Sequence, residues 1–437
     1  MAVLKFLVLV TLFVGNGIFA DPTPLLLPKL QNVTTGTGSV GVGSPIILVP
    51  GDGGSQLEAK LNRSDAPHYV CYKKTNTYYN IWLNLQQLLT PLVVDCWVQN
   101  MILKYDNVSH TTSNADGVDI RAPGFGDTDT VEYLDPSRWS LSQYFHKIVD
   151  LAVSMGYTKG KNIRGAPFDF RKAPNEFQSW YENLTSMIED SYYQNGNKKV
   201  IIIGHSMGNP VMLHFYQSKP QAWKDKFLRA HVSIAAPWGG SVKTLKLFAS
   251  GYNLDHYRII VNPLTIRPFQ RSMPSSAYLM PSPNFWSSNE TLIRTDRRNY
   301  TVADYKQFFD DIQYPNGWLM FQDTRSLYGE YKPPGVEVHC LCGTKLDTPA
   351  GFQYGKGAFP DTQPTDIMGD GDGTVNLRSC QGCLRWVGKQ KQDVVYKEFV
   401  KEEHLDMLSS PNVVAYIKAL LQQPVSDWSS RARRARG

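Results

Sequence analysis

Ser206 sits in Gly204-His205-Ser206-Met207-Gly208, directly after the apolar run Val200-Ile201-Ile202-Ile203 and directly before Val211-Met212-Leu213-His214-Phe215-Tyr216. The first run reads as a buried strand and the second as a helix, so the serine must occupy a tight turn between them. Such a turn is strained, and its flanking positions must be small for strand and helix to pass closely. Pro210 agrees with this layout, because a first helical turn tolerates a residue without an amide proton. Strand, Gly-x-Ser-x-Gly and helix in this order form the nucleophile elbow of an α/β-hydrolase, which is the fold class expected here.

The start of the chain carries an expectation about the compartment, a cleaved signal being weighed against an uncleaved anchor. Lys5 near the start, an apolar stretch from Phe6 to Val14 and Ala20 before the polar Asp21-Pro22 describe a cleaved secretory signal over residues 1–20. The apolar run is shorter than a membrane span. Six Asn-x-Ser/Thr triplets, at Asn32, Asn62, Asn107, Asn183, Asn289 and Asn299, suit a chain glycosylated on the secretory route. The lysosomal lumen or the extracellular space is therefore the expected destination. The six cysteines then meet an oxidising environment, where disulfides are the default. Cys71 and Cys96 stand apart from the others and are expected to pair, contributing about 3 kcal/mol in the chain-entropy picture. Cys340/Cys342 and Cys380/Cys383 form two close pairs whose partners the sequence leaves open. A zinc site would need four such thiols, and the secretory route favours bridges over metal.

The net charge of +6 owes part of its excess to the tail Arg431-Ala432-Arg433-Arg434-Ala435-Arg436. The remaining Lys and Arg are scattered among acids, so a nucleic-acid partner is not expected, and attraction to an anionic lipid surface fits better.

Along the chain, Pro45-Ile46-Ile47-Leu48-Val49 reads as a second buried strand, ending in Pro50-Gly51-Asp52-Gly53-Gly54-Ser55. In this fold the loop after an early strand supplies one oxyanion-hole amide and the residue after the nucleophile supplies the other. By position these are Asp52 or Gly53, and Met207. Apolar residues at 81, 82, 85, 88, 89 and 92 follow helical spacing, which a core helix explains. Leu83, Val93, Val94 and Trp97 widen the apolar face beyond one stripe, which instead points to a loop dipping Trp82, Leu83, Leu85, Leu88, Leu89 and Trp97 into a lipid interface. The expected layout is a hydrolase core at 21–70, 121–239 and 336–425, interrupted by a disulfide-pinned membrane-binding subdomain at 71–120 and a cap or lid at 240–335. A basic disordered tail follows at 426–437.

A serine hydroxyl needs a neutral imidazole to take its proton, and the imidazole needs a carboxylate to orient it. In this fold the acid and then the histidine follow the serine in sequence. Acid candidates are Asp366, Asp370 and Asp372, in or before Gly369-Asp370-Gly371-Asp372-Gly373-Thr374-Val375, after the strand-like Val336–Gly343. A calcium loop fits this segment poorly, because the position needing glycine holds Val375. Of nine histidines, only His404 lies late enough, after the strand-like Val394–Phe399.

The chain resembles the lecithin:cholesterol acyltransferase family, and within it the phospholipase–transacylase branch. The resemblance rests on Val49-Pro50-Gly51-Asp52, Gln56-Leu57-Glu58-Ala59-Lys60-Leu61, Ile81-Trp82-Leu83-Asn84-Leu85 and Asp116-Gly117-Val118-Asp119 with Pro123-Gly124-Phe125-Gly126. It continues through Arg164-Gly165-Ala166-Pro167-Phe168-Asp169, His205–Asn209, Gln221–Lys226, Ala236–Gly240, Asp370–Asn376 and His404, spanning nearly all of residues 45–420. The resemblance implies Ser206 as nucleophile, Asp372 as orienting acid, His404 as base, and Asp52 and Met207 as oxyanion amides. It also implies bridges Cys71–Cys96, in a membrane-binding subdomain, and Cys340–Cys383, leaving Cys342 and Cys380 free to form a second bridge. Gly53 stands where the family commonly has a larger apolar residue and Phe170 where it has Trp, both near the expected acyl site.

The function so implied is calcium-independent acyl transfer at a phospholipid membrane or lipoprotein surface. A glycerophospholipid ester acylates the serine, and water or a lipid alcohol such as ceramide accepts the acyl group. Neither metal nor cofactor is expected, since amides supply the electrostatics. Asp52 beside a developing oxyanion would repel it when ionised, so an acidic optimum is expected. A secreted sterol acyltransferase shares the triad and the fold, and a catalytically silent lipid-binding protein would share the fold alone. A peptidase or neutral-lipid esterase is open on chemistry alone.

Overall fold

Four apolar residues in a row leave a strand with no polar face, so Val200–Ile203 has to be covered on both sides. The computed structural model, which describes residues 43–254, 261–328 and 331–423, does so. Strands β1 (Ile46–Val49), β2 (Ile163–Gly165), β3 (Val200–His205), β4 (Leu228–Ile234), β5 (Glu337–Thr344) and β6 (Val394–Val400) form one sheet. Their order is β6-β5-β4-β3-β1-β2, and every neighbouring pair is parallel. Every residue of β1 and β3 is buried, as the uninterrupted apolar runs require. Helices His146–Ser154, Gln178–Gln194, Gly208–Gln217 and Pro411–Gln422 contribute to the same apolar core. This is the α/β-hydrolase architecture.

The chain leaves β1 toward β2 and then returns to build β3 on the other side of β1. Strand order therefore reverses between β1 and β3, and the crevice outside the carboxyl ends there is where such sheets bind ligands. Asp52 follows β1 and Ser206 follows β3, so both stand at that crevice. His404 starts far away, after edge strand β6. It gets back because Lys401 turns with φ 60° and donates its amide to Thr344 O at 2.7 Å. The returning loop passes so close to the end of β5 that a Cβ on Gly343 would sit 2.4 Å from Glu402 O.

Residues 240–335 hold short helices, Lys243–Ser250, Pro263–Arg271, Pro274–Tyr278, Tyr305–Asp311 and Pro315–Arg325, with a separate apolar cluster. That cluster also takes in Phe352 and Tyr354, from and just after the strand Leu346–Gln353, which pairs antiparallel with Thr365–Gly371. The expected boundary at 335 thus cuts through one packed unit.

All six cysteines are paired, as Cys71–Cys96, Cys340–Cys383 and Cys342–Cys380. Cys340 and Cys342 are two apart on β5 and so face the same side, toward the segment carrying Cys380 and Cys383. The expected signal segment, Asn32 and the basic tail lie outside the described residues. Asn62, Asn107, Asn183, Asn289 and Asn299 are all exposed. No helix among the described residues is long and apolar enough to cross a membrane.

The expected lipid-contacting stretch is corrected by burial. Ile81 and Trp82 belong not to a helix but to the strand Tyr79–Trp82, paired with Leu57–Leu61, and helix begins only at Leu85. Trp82, Leu83, Leu88 and Trp97 are at most 2 % exposed. The two indoles are held from within: Trp82 Nε1 donates to Gly53 O at 2.7 Å and Trp97 Nε1 to Ile81 O at 2.8 Å. Buried indoles need such acceptors, and having them removes any reason to reach outward. Of the surplus apolar residues, Leu83 and Trp97 belong to the core, Val94 packs against it, and Val93 is half-buried. Leu85 is half-buried, and Leu89 is exposed together with Leu92, Tyr69 and Tyr72.

Candidate active site

The elbow folds as its residue types demand. Ser206 has φ 49°, a strained value for a residue with a side chain. It is held by its own amide donating to Ile234 O at 3.0 Å and by Asn209 Nδ2 donating to Ser206 O at 3.0 Å. Behind it, Gly208 packs against the end of β1, where a Cβ would lie 2.4 Å from Pro50 O.

Three side chains from distant parts of the chain meet at this turn. His404 Nε2 is 2.9 Å from Ser206 Oγ, and His404 Nδ1 is 2.8 Å from Asp372 Oδ2. Asp372 Oδ1 accepts from the amides of Thr374 at 2.9 Å and Val375 at 2.6 Å, which fixes the carboxylate. Asp372 and His404 are buried, so their contacts act with little water between charges. Of the other acid candidates, exposed Asp370 accepts from Lys345 N at 2.6 Å and Asp366 pairs with Lys246 Nζ at 3.0 Å. Neither touches the imidazole.

Asp52 lies half-buried on the cleft wall beside Ser206. Burial pushes its carboxyl up to about 7, against the opposing pull of the Gly53 amide and of His404. Met207 directly follows the serine and precedes the helix Gly208–Gln217, which aims amides and the positive end of the helix dipole at this spot. Leu247, Leu279, Val375 and Leu405 are among the apolar walls of the cleft. Lys243, unremarked in the sequence, reaches in from the cap segment, its Nζ 2.8 Å from Tyr252 Oη and 3.3 Å from Thr374 Oγ1. Gly53 and Phe170 do not line the cleft; both meet Trp82, Phe170 with ring centroids 5.3 Å apart. Among the described residues no group of His, Cys, Asp and Glu is arranged to hold a metal ion.

Two further residues at the site have no role that the sequence assigns. His205 is buried beside the serine, and Tyr144 reaches it from the segment before helix His146–Ser154. Only the fold could bring Tyr144 there.

Arranged this way, the site can transfer an acyl group through a serine ester. The sequence profile of the lecithin:cholesterol acyltransferase family matches residues 78–411. A human protein named lysosomal phospholipase A and acyltransferase is 46% identical over 93% of this chain and 98% of its own length. Its bovine counterpart is 48% identical over 87% of this chain and 92% of its own. A mouse phosphatidylcholine-sterol acyltransferase is 40% identical over 86% and 85%. Among solved structures, the crystal structure of the Tle4–Tli4 complex superposes with a TM-score of 0.51 at 12% identity, covering 87% of this chain and 98% of that one.

Proposed function

The chain belongs to the lecithin:cholesterol acyltransferase family and is an enzyme of the α/β-hydrolase fold, and from that premise we propose that it cleaves glycerophospholipid acyl esters through an acyl-Ser206 intermediate. Water or a lipid alcohol such as ceramide then takes the acyl group. The observation that carries this reading is the unbroken contact from Ser206 Oγ through His404 to Asp372 at the wall of an apolar cleft. His404 Nε2 accepts the serine proton while Asp372 holds the proton on Nδ1 and stabilises the imidazolium that forms. The amides of Asp52 and Met207 receive the oxyanion, a term usually worth about 100- to 1,000-fold per donor. The leaving lysophospholipid takes the proton from His404, and the acceptor reverses the sequence. Calcium has no part in these steps. The Lys243 ammonium suits the phosphodiester of the substrate.

The exposed Leu89, Leu92, Tyr69 and Tyr72, around the Cys71–Cys96 bridge, are the residues placed to touch a lipid surface. The exposed sequons and the relatives named as lysosomal support a lumenal or secreted location. Phosphatidylcholine liposomes containing ceramide test the proposal: free fatty acid and acylceramide are expected at acidic pH. Cholesteryl ester from sterol-containing liposomes would instead favour the sterol acyltransferase reading, which the 40% identical relative keeps in play. Release of neither product would contradict both. Leu89→Ser with Leu92→Ser is expected to slow turnover on liposomes but not on a soluble ester.

An acidic working range follows from Asp52. Its carboxyl is neutral below about 7 and ionised above, where it opposes the oxyanion. Activity is therefore expected to fall as pH rises through 7, by about tenfold per unit once the neutral form is minor. Asp52→Asn, which cannot ionise, is expected to flatten that fall, and pH–rate profiles of the two enzymes check it. An identical profile would contradict the role given to Asp52. The same shift bears on stability: folding raises the carboxyl from 3.8 to about 7, so the fold gains from its proton at low pH and loses that contribution as pH climbs between those values.

A further inference from the structure

We propose that Tyr144 and His205 are positioning residues, a hydrogen-bonded relay that ties the oxyanion loop, the elbow and the His404 loop into one geometry. The links are continuous. Gly51 N–H donates to Tyr144 Oη at 3.0 Å, Tyr144 Oη lies 2.5 Å from His205 Nδ1, and His205 Nε2 lies 3.0 Å from the main-chain oxygen of His404.

The chemistry of the ends sets the direction of every bond. A carbonyl oxygen only accepts, so Nε2 of His205 carries the proton and Nδ1 is the acceptor. Tyr144 must then donate its own proton to Nδ1, leaving its oxygen to accept from Gly51. A doubly protonated imidazole would reverse that bond, Nδ1–H donating to Tyr144 Oη, and would leave the phenol proton without its acceptor. Burial works against that state and holds His205 well below the usual imidazole range, with His404 adding to the effect. Burial thus favours the neutral imidazole that these bond directions require.

What the relay positions is specific. His404 has its main-chain amide on Asp372 O at 3.0 Å and its main-chain oxygen on His205, so the backbone that carries the base is pinned from both sides. At the other end, Gly51 is neighbour to Asp52, and a Cβ on Gly51 would sit 2.6 Å from the Cβ of Ser206. The oxyanion loop is pressed against the nucleophile, and Tyr144 sets how closely. Removing a link frees base and oxyanion amide to drift relative to Ser206, and drift near 1 Å costs about 100-fold in such sites.

This inference rests on the acyl-serine reading above, and its test separates the two. Tyr144→Phe, His205→Leu, the double variant and the conservative His205→Gln are compared with the wild type on a soluble nitrophenyl ester, with melting temperatures measured in parallel. Tyr144→Phe and His205→Leu are each expected to lower kcat by about 10- to 100-fold with KM within about twofold. The double variant is expected to match the worse single, because a chain broken twice is no more broken. His205→Gln, which keeps a donor for the His404 oxygen, is expected to recover part of kcat. Falling melting temperatures with unchanged kcat would overturn the relay and leave a structural role, as would additive losses. A wild type that turns over no ester and forms no serine adduct would overturn the acyl-serine reading, and the relay with it; a reactive wild type with equally reactive variants would overturn the relay alone.

Discussion

Ser206→Ala is expected to lower ester turnover by about 10⁴- to 10⁶-fold, leaving only what binding and oxyanion amides supply. The size follows from position. Ser206 Oγ is the hydroxyl in contact with His404 Nε2, whose other ring nitrogen is held by Asp372. Losing the hydroxyl removes the covalent path rather than weakening it. The fold should not notice, because the Ser206 main chain keeps its bonds to Ile234 and Asn209, and alanine meets the same φ at similar cost. Steady-state kinetics and a melting curve on the same preparation check both halves. Retention of more than about one per cent of activity would contradict the assignment.

Asp372→Asn comes next in size, at about 10⁴-fold in kcat, through the tautomer of its neighbour. The amides of Thr374 and Val375 both donate to Asp372 Oδ1, so the oxygen of an asparagine will stay there. Its NH₂ must then face His404 Nδ1, which can pair with it only as an acceptor. The imidazole proton moves to Nε2, where it opposes Ser206 and can no longer take its proton. The substitution keeps shape and bonds while disabling the base. A loss under tenfold would show that Asp372 does not orient His404.

How much of this was legible in the sequence depended on how local each signal was. Val200–Ile203 and Gly204–Gly208 gave strand and elbow, because burial on both sides and close packing write themselves into consecutive residues. His404 was found by order alone, and Asp372 by a glycine-rich acid loop together with family resemblance; spacing by itself left Asp366 and Asp370 open. The apolar stretch around 81–97 misled, since exposed and buried surplus apolar residues look the same until a partner is known. Trp82 proved to be covered by Gly53 and Phe170, and Trp97 by Phe269, contacts across 29 to 172 positions that no periodicity encodes. Tyr144 was invisible for the same reason: its value lies in reaching His205 from 61 residues away. Lys243 sits in a segment with weak periodicity, and only the fold brings it to the cleft wall.

The most direct test of the central claim is to treat the wild-type protein with a lipid-like fluorophosphonate and locate the adduct by peptide mass spectrometry. A single stoichiometric adduct on Ser206 is expected, lost in Ser206→Ala and formed far more slowly in Asp372→Asn. Full ester turnover with no adduct on Ser206, or an adduct on another residue that abolishes activity, would contradict it.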